Sequence, residues 1–213
     1  MKKLLFGLIS VFLVNIANAQ YDPKALEILD AMSKKYKEIA AFEANISYTL
    51  INDVEKLNEK FSGKITVKGG KFKLVLDGQE IINNGTTMWT YLPDIKEVNI
   101  DNYDPDSEDI NPAKIYDAYK KGFKYLYLED KTIDGVLSHV IDLVPEKKDA
   151  QYFKIRMNIS KKDKSIQSWT MFDKSQNRYT YTITKFVPNI KVEDSFFNFD
   201  VSKHPGIEVV DLR

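Results

Sequence analysis

From Glu43 onward, apolar residues recur at every second position, and short turn signals interrupt the pattern. The clearest of these signals are the pairs Gly69-Gly70, Asp77-Gly78, Asn84-Gly85, Pro93-Asp94 and Asp134-Gly135. A period of two places alternate side chains on opposite faces of a strand, and such pairs favour tight turns. The pattern therefore predicts an antiparallel meander of about ten or eleven strands, which curls because a twisted sheet of that size rarely stays flat.

The later predicted strands are long and have one apolar face. They span residues 136–144, 152–160, 165–172 and 178–187. In the second of them, Phe153, Ile155, Met157 and Ile159 alternate with Lys154, Arg156 and Asn158. An antiparallel sheet commonly buries one face and leaves the other in water. We therefore expect a dry face that other elements must cover.

Two amphipathic helices are predicted as that cover. Asp22-Pro23 has the N-cap acceptor and first-turn proline that begin a helix, and Asn111-Pro112 repeats the signal. The first helix is expected to run to about Ala41, with its apolar residues at spacings of three and four: Leu26, Leu29, Met32, Tyr36 and Ile39. The second carries Ile115, Tyr116 and Tyr119 on one side and is expected to end at Gly122.

The first 19 residues have the organisation of a secretory signal peptide. Lys2 and Lys3 precede an apolar run over residues 4–14, and Ala17-Asn18-Ala19 is a small-residue cleavage site. We expect cleavage after Ala19 and a mature protein of one domain, residues 20–213, in the periplasm. The chain contains no cysteine, so it has neither disulfides nor a lipid-modified cysteine. Its formal net charge is zero, and no basic stripe favours nucleic acid.

The sequence has no recognisable catalytic constellation. Its two histidines, His139 in a predicted strand and His204 in a predicted turn, lie outside known motifs. The acidic run from Asp101 to Asp109 lacks the spacing of a calcium loop, so we interpret it as a solvated linker that precedes the second helix. We expect no enzymatic activity, no metal and no cofactor.

Several elements together resemble the LolA-type outer-membrane lipoprotein carriers. They are the signal peptide, the first helix, the strand Phe61–Lys68, the element Asn84–Pro93, and Phe197–Asp200 leading into Pro205–Asp211. The resemblance implies an α+β fold, an unclosed antiparallel half-barrel whose concave face is covered by two or three helices. The chain departs from the family at Gly69, where members often carry an arginine. We also expect that the extra C-terminal strand of some members does not follow Asp211.

The resemblance also implies a function. Such carriers work as monomers without a cofactor. They take acylated lipoproteins from an ATP-driven inner-membrane complex and deliver them to the outer membrane, often through a receptor there. A rival hypothesis is a periplasmic sensor on the same fold that binds lipoprotein or another lipid and signals to a membrane partner. An enzyme ranks third, since no residues support it.

Alternation and helical spacing predict which residues line an acyl-chain cavity. The expected sheet wall consists of Ile46, Tyr48, Phe72, Leu74, Trp89, Phe153, Ile155, Trp169 and Tyr181. The expected lid consists of Leu29, Met32, Ile115 and Tyr119. Trp89 and Tyr91 are two residues apart and are expected to share a face.

Overall fold

The computed structural model describes residues 21–104 and 111–213, which form one 12-stranded sheet. The strands are β1 Ala41–Asn52, β2 Leu57–Lys68, β3 Lys71–Leu76, β4 Gln79–Asn83, β5 Thr87–Leu92, β6 Glu97–Asn102, β7 Phe123–Ile133, β8 Val136–Pro145, β9 Tyr152–Ser160, β10 Ile166–Asp173, β11 Arg178–Pro188 and β12 Glu208–Asp211. Their order is β12-β6-β5-β4-β3-β2-β1-β11-β10-β9-β8-β7. The predicted half-barrel topology is confirmed, with β12 and β7 as its two edges.

Both predicted helices are present and begin at the expected caps. The helix α1 spans Pro23–Lys37, and Oδ1 of Asp22 accepts a hydrogen bond of 2.8 Å from the backbone N–H of Lys24. The second helix, Pro112–Lys120, is of the 3-10 type, and Oδ1 of Asn111 accepts from the N–H of Ala113 at 2.8 Å. The α1 helix ends four residues before the predicted Ala41, because Ala41 already pairs with β2.

The C-terminal end of the chain forms a strand that the sequence analysis did not predict. After a turn at Gly206, whose φ is 76°, β12 runs parallel to β6. The backbone N–H of Glu208 donates to the carbonyl of Lys96 at 2.8 Å, which starts this pairing. The described sheet therefore has twelve strands, one more than the predicted ten or eleven, because the few residues after the turn are enough to pair with the edge of β6.

The main core lies between the two helices and the concave face of the sheet. The helix α1 is fixed at both ends: the N–H of Tyr127 in β7 donates to Asp22 at 3.0 Å, and the N–H of Ile166 in β10 donates to the Tyr36 hydroxyl at 3.1 Å. Because α1 reaches from β7 to β10, β8 and β9 lie beneath it. Side chains of these two strands are fully buried there, among them Ile141, Leu143, Ile155, Met157 and Ile159.

A second, smaller core lies on the opposite face of the sheet, at β4 to β6. Ile82, Val98 and Ile100 are buried there, outside the main core. The chain after β11 crosses this face through short 3-10 segments at Asp194–Phe197 and Val201–Lys203. The side chain of Phe197 is fully buried. The apolar face of the sheet therefore changes sides between β3 and β5.

Two predicted segments lie outside the described residues. They are the signal peptide and the part of the acidic linker that contains Asp106, Glu108 and Asp109. Within residues 21–104 and 111–213, no helix has the length and apolar character needed to cross a membrane.

Candidate functional site

An open cleft lies between the helices and the concave face, over β1 to β3, β10 and β11. Its empty space, including the mouth, is about 560 Å³. Aliphatic and aromatic side chains line it throughout: Tyr36, Phe42, Ala44, Ile46, Ile65, Leu74, Leu76, Ile115, Tyr116, Ile166, Trp169, Tyr181, Ile183 and Phe186. Such a lining binds apolar matter by burial and offers almost no polar group to orient a polar ligand.

Two stacked tyrosines form the roof of the cleft. The rings of Tyr36 in α1 and Tyr116 in the second helix stack with centroids 5.4 Å apart and planes 8° from parallel. Burial raises the pKa of Tyr36 to about 12, so its hydroxyl stays neutral and accepts the hydrogen bond from Ile166. The roof therefore brings no charge into the cleft.

An aromatic ladder crosses four strands, from the wall of the cleft to the sheet beside it. Trp169 of β10 stacks on Tyr181 of β11 at 4.9 Å, and Tyr181 contacts Tyr48 of β1 at 5.0 Å. Tyr48 in turn contacts Phe61 of β2 at 5.8 Å. These four residues are directly opposite one another in the strand pairing, so their rings fall on one face.

A glycine shapes the floor of the cleft. Gly63 in β2 is opposite Ile46 on one side and Leu76 on the other. A Cβ atom at Gly63 would lie 2.5 Å from the Leu76 side chain and 2.8 Å from the carbonyl oxygen of Val75. The missing side chain therefore lets Leu76 lie across β2 and line the cleft.

A polar cluster holds the two helices together beside the cleft. Asp117 of the second helix accepts a hydrogen bond from Ser33 at 2.5 Å and forms ion pairs with Lys37 at 3.0 Å and Lys120 at 2.9 Å. Burial of Asp117 opposes its ionisation, but hydrogen bonds from Ser33 and the two lysines outweigh that effect and hold the pKa of the carboxyl below its usual range. Tyr119 also donates a hydrogen bond to Asp30 of α1. This cluster supplies the contact between the helices without an arginine at position 69.

Comparison with known proteins identifies one family whose model matches the sequence. The sequence matches "Outer membrane lipoprotein carrier protein LolA" over residues 36–200, more than half of the chain. The chain belongs to the LolA family. Proteins of this family are periplasmic and are generally carriers without catalytic activity. The predicted resemblance is thereby confirmed. No curated protein matches the chain in a sequence search.

Solved structures share the fold at low sequence identity. An uncharacterised conserved protein from Thermus thermophilus aligns with a TM-score of 0.60 and 11% identity, over 88% of this chain and 99% of its own. A DUF1329 family protein from Desulfovibrio piger aligns with a TM-score of 0.50 and 13% identity, over 84% and 98%. A LolA superfamily protein from Nitrosomonas europaea gives a TM-score of 0.46 and 12% identity, over 83% and 98%.

The structure brings five of the predicted site residues together in the cleft. Those five are Ile46, Leu74, Ile115, Trp169 and Tyr181. Five others are buried in the surrounding core: Leu29, Met32, Phe72, Tyr119 and Ile155. Tyr48 stands beside the cleft in the aromatic ladder. Trp89 and Phe153 do not face the main core.

Trp89 lies on the opposite face of the sheet. It pairs directly with Ile82 of β4 and Ile100 of β6, both of which belong to the smaller core. Trp89 and Tyr91 share a face, as predicted, but this face is turned away from α1. The assignment of Trp89 to the acyl cavity is therefore corrected, because the buried side of the sheet changes between β3 and β5.

Phe153 is displaced by a bulge in β9. Lys154 pairs with Phe172, but Tyr152 pairs with Asp173, so Phe153 is left without an opposite residue. The ring of Phe153 is 50% exposed and contacts Phe172, with 6.2 Å between centroids, on the face opposite Ile155. A bulge reverses the alternation at the point where it occurs, and this removes Phe153 from the cavity.

The sequence analysis missed Phe42, Ile65 and Phe186 as lining residues, although their period-two positions signalled a buried face. Tyr36 and Tyr116 were placed on the apolar helix faces but not in the site.

His139 has a structural partner. Its Nδ1 lies 2.7 Å from Oδ1 of Asp130, and burial lowers the pKa of this histidine. Among the described residues, no group of side chains could hold a metal ion.

Proposed function

We propose that this protein is a periplasmic carrier that binds the acyl chains of lipoproteins in the cleft and shuttles them from the inner to the outer membrane. The observation that carries the proposal is the cleft itself, an apolar space of about 560 Å³ with an open mouth. A preformed apolar cleft is the usual form of a small-molecule site.

The energetics of acyl chains explain why such a carrier is needed. Each buried methylene contributes about 0.8 kcal/mol, so a chain of about 14 methylenes is held in a bilayer by roughly 11 kcal/mol. Spontaneous passage through water is then negligible. A carrier must offer an apolar site nearly as favourable as the membrane and must exchange cargo by direct transfer.

The proposed route follows from the family. The signal peptide directs export and is removed after Ala19. An ATP-driven inner-membrane complex loads the mature protein, and the outer membrane, through a receptor or directly, receives the cargo. The polar cluster at Asp117 stabilises the helices over the cleft, and no cofactor takes part.

Two neighbouring substitutions on β1 test the proposal. Ala44 lines the cleft, whereas the side chain of Asn45 points to the other face and is exposed. Ala44→Phe fills the cleft and is expected to abolish release of an acylated lipoprotein from spheroplasts by the purified mature protein. Asn45→Phe adds the same ring outside the cleft and is expected to leave release unchanged.

The result that would overturn the proposal is an absence of release by the unmodified protein, together with no lipoprotein bound in native mass spectrometry. Recovery of a membrane-anchored regulator instead of a lipoprotein in a pull-down from periplasm would favour the rival function of a sensor.

A further inference from the structure

The cleft is too small to hold two long acyl chains. Its empty space of about 560 Å³ includes the open mouth, so the enclosed part is smaller. A methylene is close in size to a water molecule, whose share of liquid volume is about 30 Å³, and two chains of about 14 methylenes each would need more than the whole of this space. A ligand with two or more long chains therefore needs a second apolar surface close to the first.

Such a surface adjoins the cleft on β1, β2 and β11. We call it the aromatic shelf, and it consists of Tyr48, Leu50, Phe61 and Tyr179. All four are half-buried and none lines the cleft. Strand pairing puts Leu50 opposite Tyr179 and Tyr48 opposite Phe61, on the face that carries the cleft. From Ile46 in the cleft to Leu50 on the shelf, β1 advances by about 13 Å.

The shelf is continuous with the cleft through Tyr181. This residue lines the cleft and contacts Tyr48 at 5.0 Å, and Tyr48 in turn lies 6.4 Å from Tyr179. No described residue forms a hydrogen bond with the hydroxyl of Tyr48 or Tyr181. Burial raises the pKa of Tyr48 to about 12, so its hydroxyl remains a neutral donor at physiological pH.

We propose that the aromatic shelf is a second acyl subsite, so that a ligand with two chains places one in the cleft and the other along the shelf. The unpaired hydroxyls of Tyr48 and Tyr181 lie where the two subsites meet. In a diacylglyceryl group each chain is attached through an ester. A neutral hydroxyl at this junction can donate a hydrogen bond to the ester carbonyl oxygen. This inference rests on the proposed function, because it assumes that the cleft binds acyl chains.

The test compares two ligands that share a head group. One is a cysteine peptide with a single palmitoyl chain, and the other is the same peptide with a dipalmitoylglyceryl group. Affinities of the mature protein for both are measured by titration, and stoichiometry by native mass spectrometry. Phe61→Ala and Tyr48→Ala are expected to weaken binding of the two-chain peptide roughly tenfold, the loss of contact with about two methylenes. Binding of the one-chain peptide should change by less than about twofold.

Three further variants separate the possible failures. Thr49→Ala lies next to Tyr48 in β1 on the opposite face and should affect neither ligand. Ala44→Phe in the cleft should weaken both. Tyr48→Phe keeps the ring and removes the hydroxyl, so it tests the proposed hydrogen bond to an ester carbonyl and is expected to weaken only the two-chain peptide.

Each outcome has a distinct meaning. Equal losses for the two peptides, or no loss for either, in the folded shelf variants would overturn the second subsite. Failure of the unmodified protein to bind the one-chain peptide would instead overturn the proposed function of the cleft. Two one-chain peptides bound in the cleft of Phe61→Ala would show that the cleft alone accepts two chains, which also contradicts the inference.

Discussion

The concave face of the sheet has a packed half and an open half. On β8 and β9, beneath α1, Ile141 and Ile155 are 0% exposed. On β1 and β2, Ile46 lines a cleft and Tyr48 and Phe61 are half-buried. Both halves show the same alternation of apolar and polar residues in the sequence. The difference arises from the cover, because α1 is fixed to β7 and β10 and leaves β1 and β2 with only partial protection.

The alternation of apolar and polar residues along a strand does not by itself distinguish core from binding surface. Alternation predicts which side chains share a face, but the position of the helices decides whether that face becomes core or binding surface. A residue under α1 contributes to stability alone, whereas a cleft residue also forms the surface that a bound ligand contacts. Substitutions in the two halves should therefore have different effects on stability and on ligand binding.

The largest expected effect is a difference in fluorescence quenching between the two tryptophans, which lie on opposite faces of the sheet. Trp169 lines the cleft, and Trp89 belongs to the opposite face. An acyl chain brominated along its length should quench the emission of Trp89→Phe, which retains Trp169, almost completely. The same ligand should leave Trp169→Phe nearly unquenched. Equal quenching of both variants in a fluorescence titration would contradict the assignment of the site to the concave face.

The next largest effect concerns the packed half. Ile155→Ala is expected to lower the free energy of unfolding by about 2 to 5 kcal/mol, because it leaves a cavity beneath α1. Acyl affinity should stay within about twofold of that of the unmodified protein. Urea denaturation and a fluorescent fatty-acid titration measure the two quantities. A small loss of stability with weaker binding would show that the cleft extends under α1.

Gly63→Ala should perturb the floor of the open half by a smaller amount. The new methyl group would meet Leu76 and the backbone of β3, and overpacking of this kind costs about 1 to 3 kcal/mol. Displacement of Leu76 into the cleft should weaken acyl binding as well. Ser62→Ala, on the neighbouring exposed position, is the matched control in denaturation and titration. An unchanged affinity in Gly63→Ala would show that Leu76 moves away from the cleft.

Much of the fold could be predicted from local chemistry. The caps at Asp22 and Asn111 and the turn at Asp134-Gly135 act within a few residues, so the sequence shows them directly. The bounds of β9 were predicted correctly for the same reason: charged residues follow it and alternation fills it.

The errors have non-local causes. The bulge at Phe153 depends on how β9 meets β10, and no residue within β9 signals it. Trp89 changes sides because a segment more than a hundred residues later, including Phe197, covers the other face of β4 to β6. The sequence alone does not show which distant segment covers a strand, so the faces of Trp89 and Phe153 could not be deduced from alternation.

The smallest expected effect concerns the contact between the helices at the border of the two halves. Asp117→Asn removes the charge that Lys37 and Lys120 face, and it should cost about 1 kcal/mol at neutral pH, since such partly exposed networks are weak. Hydrogen exchange in residues 112–120 should become faster. Asp94→Asn, in the exposed turn Pro93–Ile95, is the control that changes the same charge elsewhere.

The contribution of Asp117 to stability depends on pH. The pKa of Asp117 is lower in the folded protein than the value of about 3.9 expected in the unfolded chain. Its contribution to stability is therefore fully present above about pH 4 and is lost as the pH falls through the lower folded value. The difference in unfolding free energy between the unmodified protein and Asp117→Asn should shrink as the pH is lowered below about 4. A difference that stays constant from pH 7 to pH 3 would mean that Asp117 acts through packing, and that charge does not hold the helices over the open half.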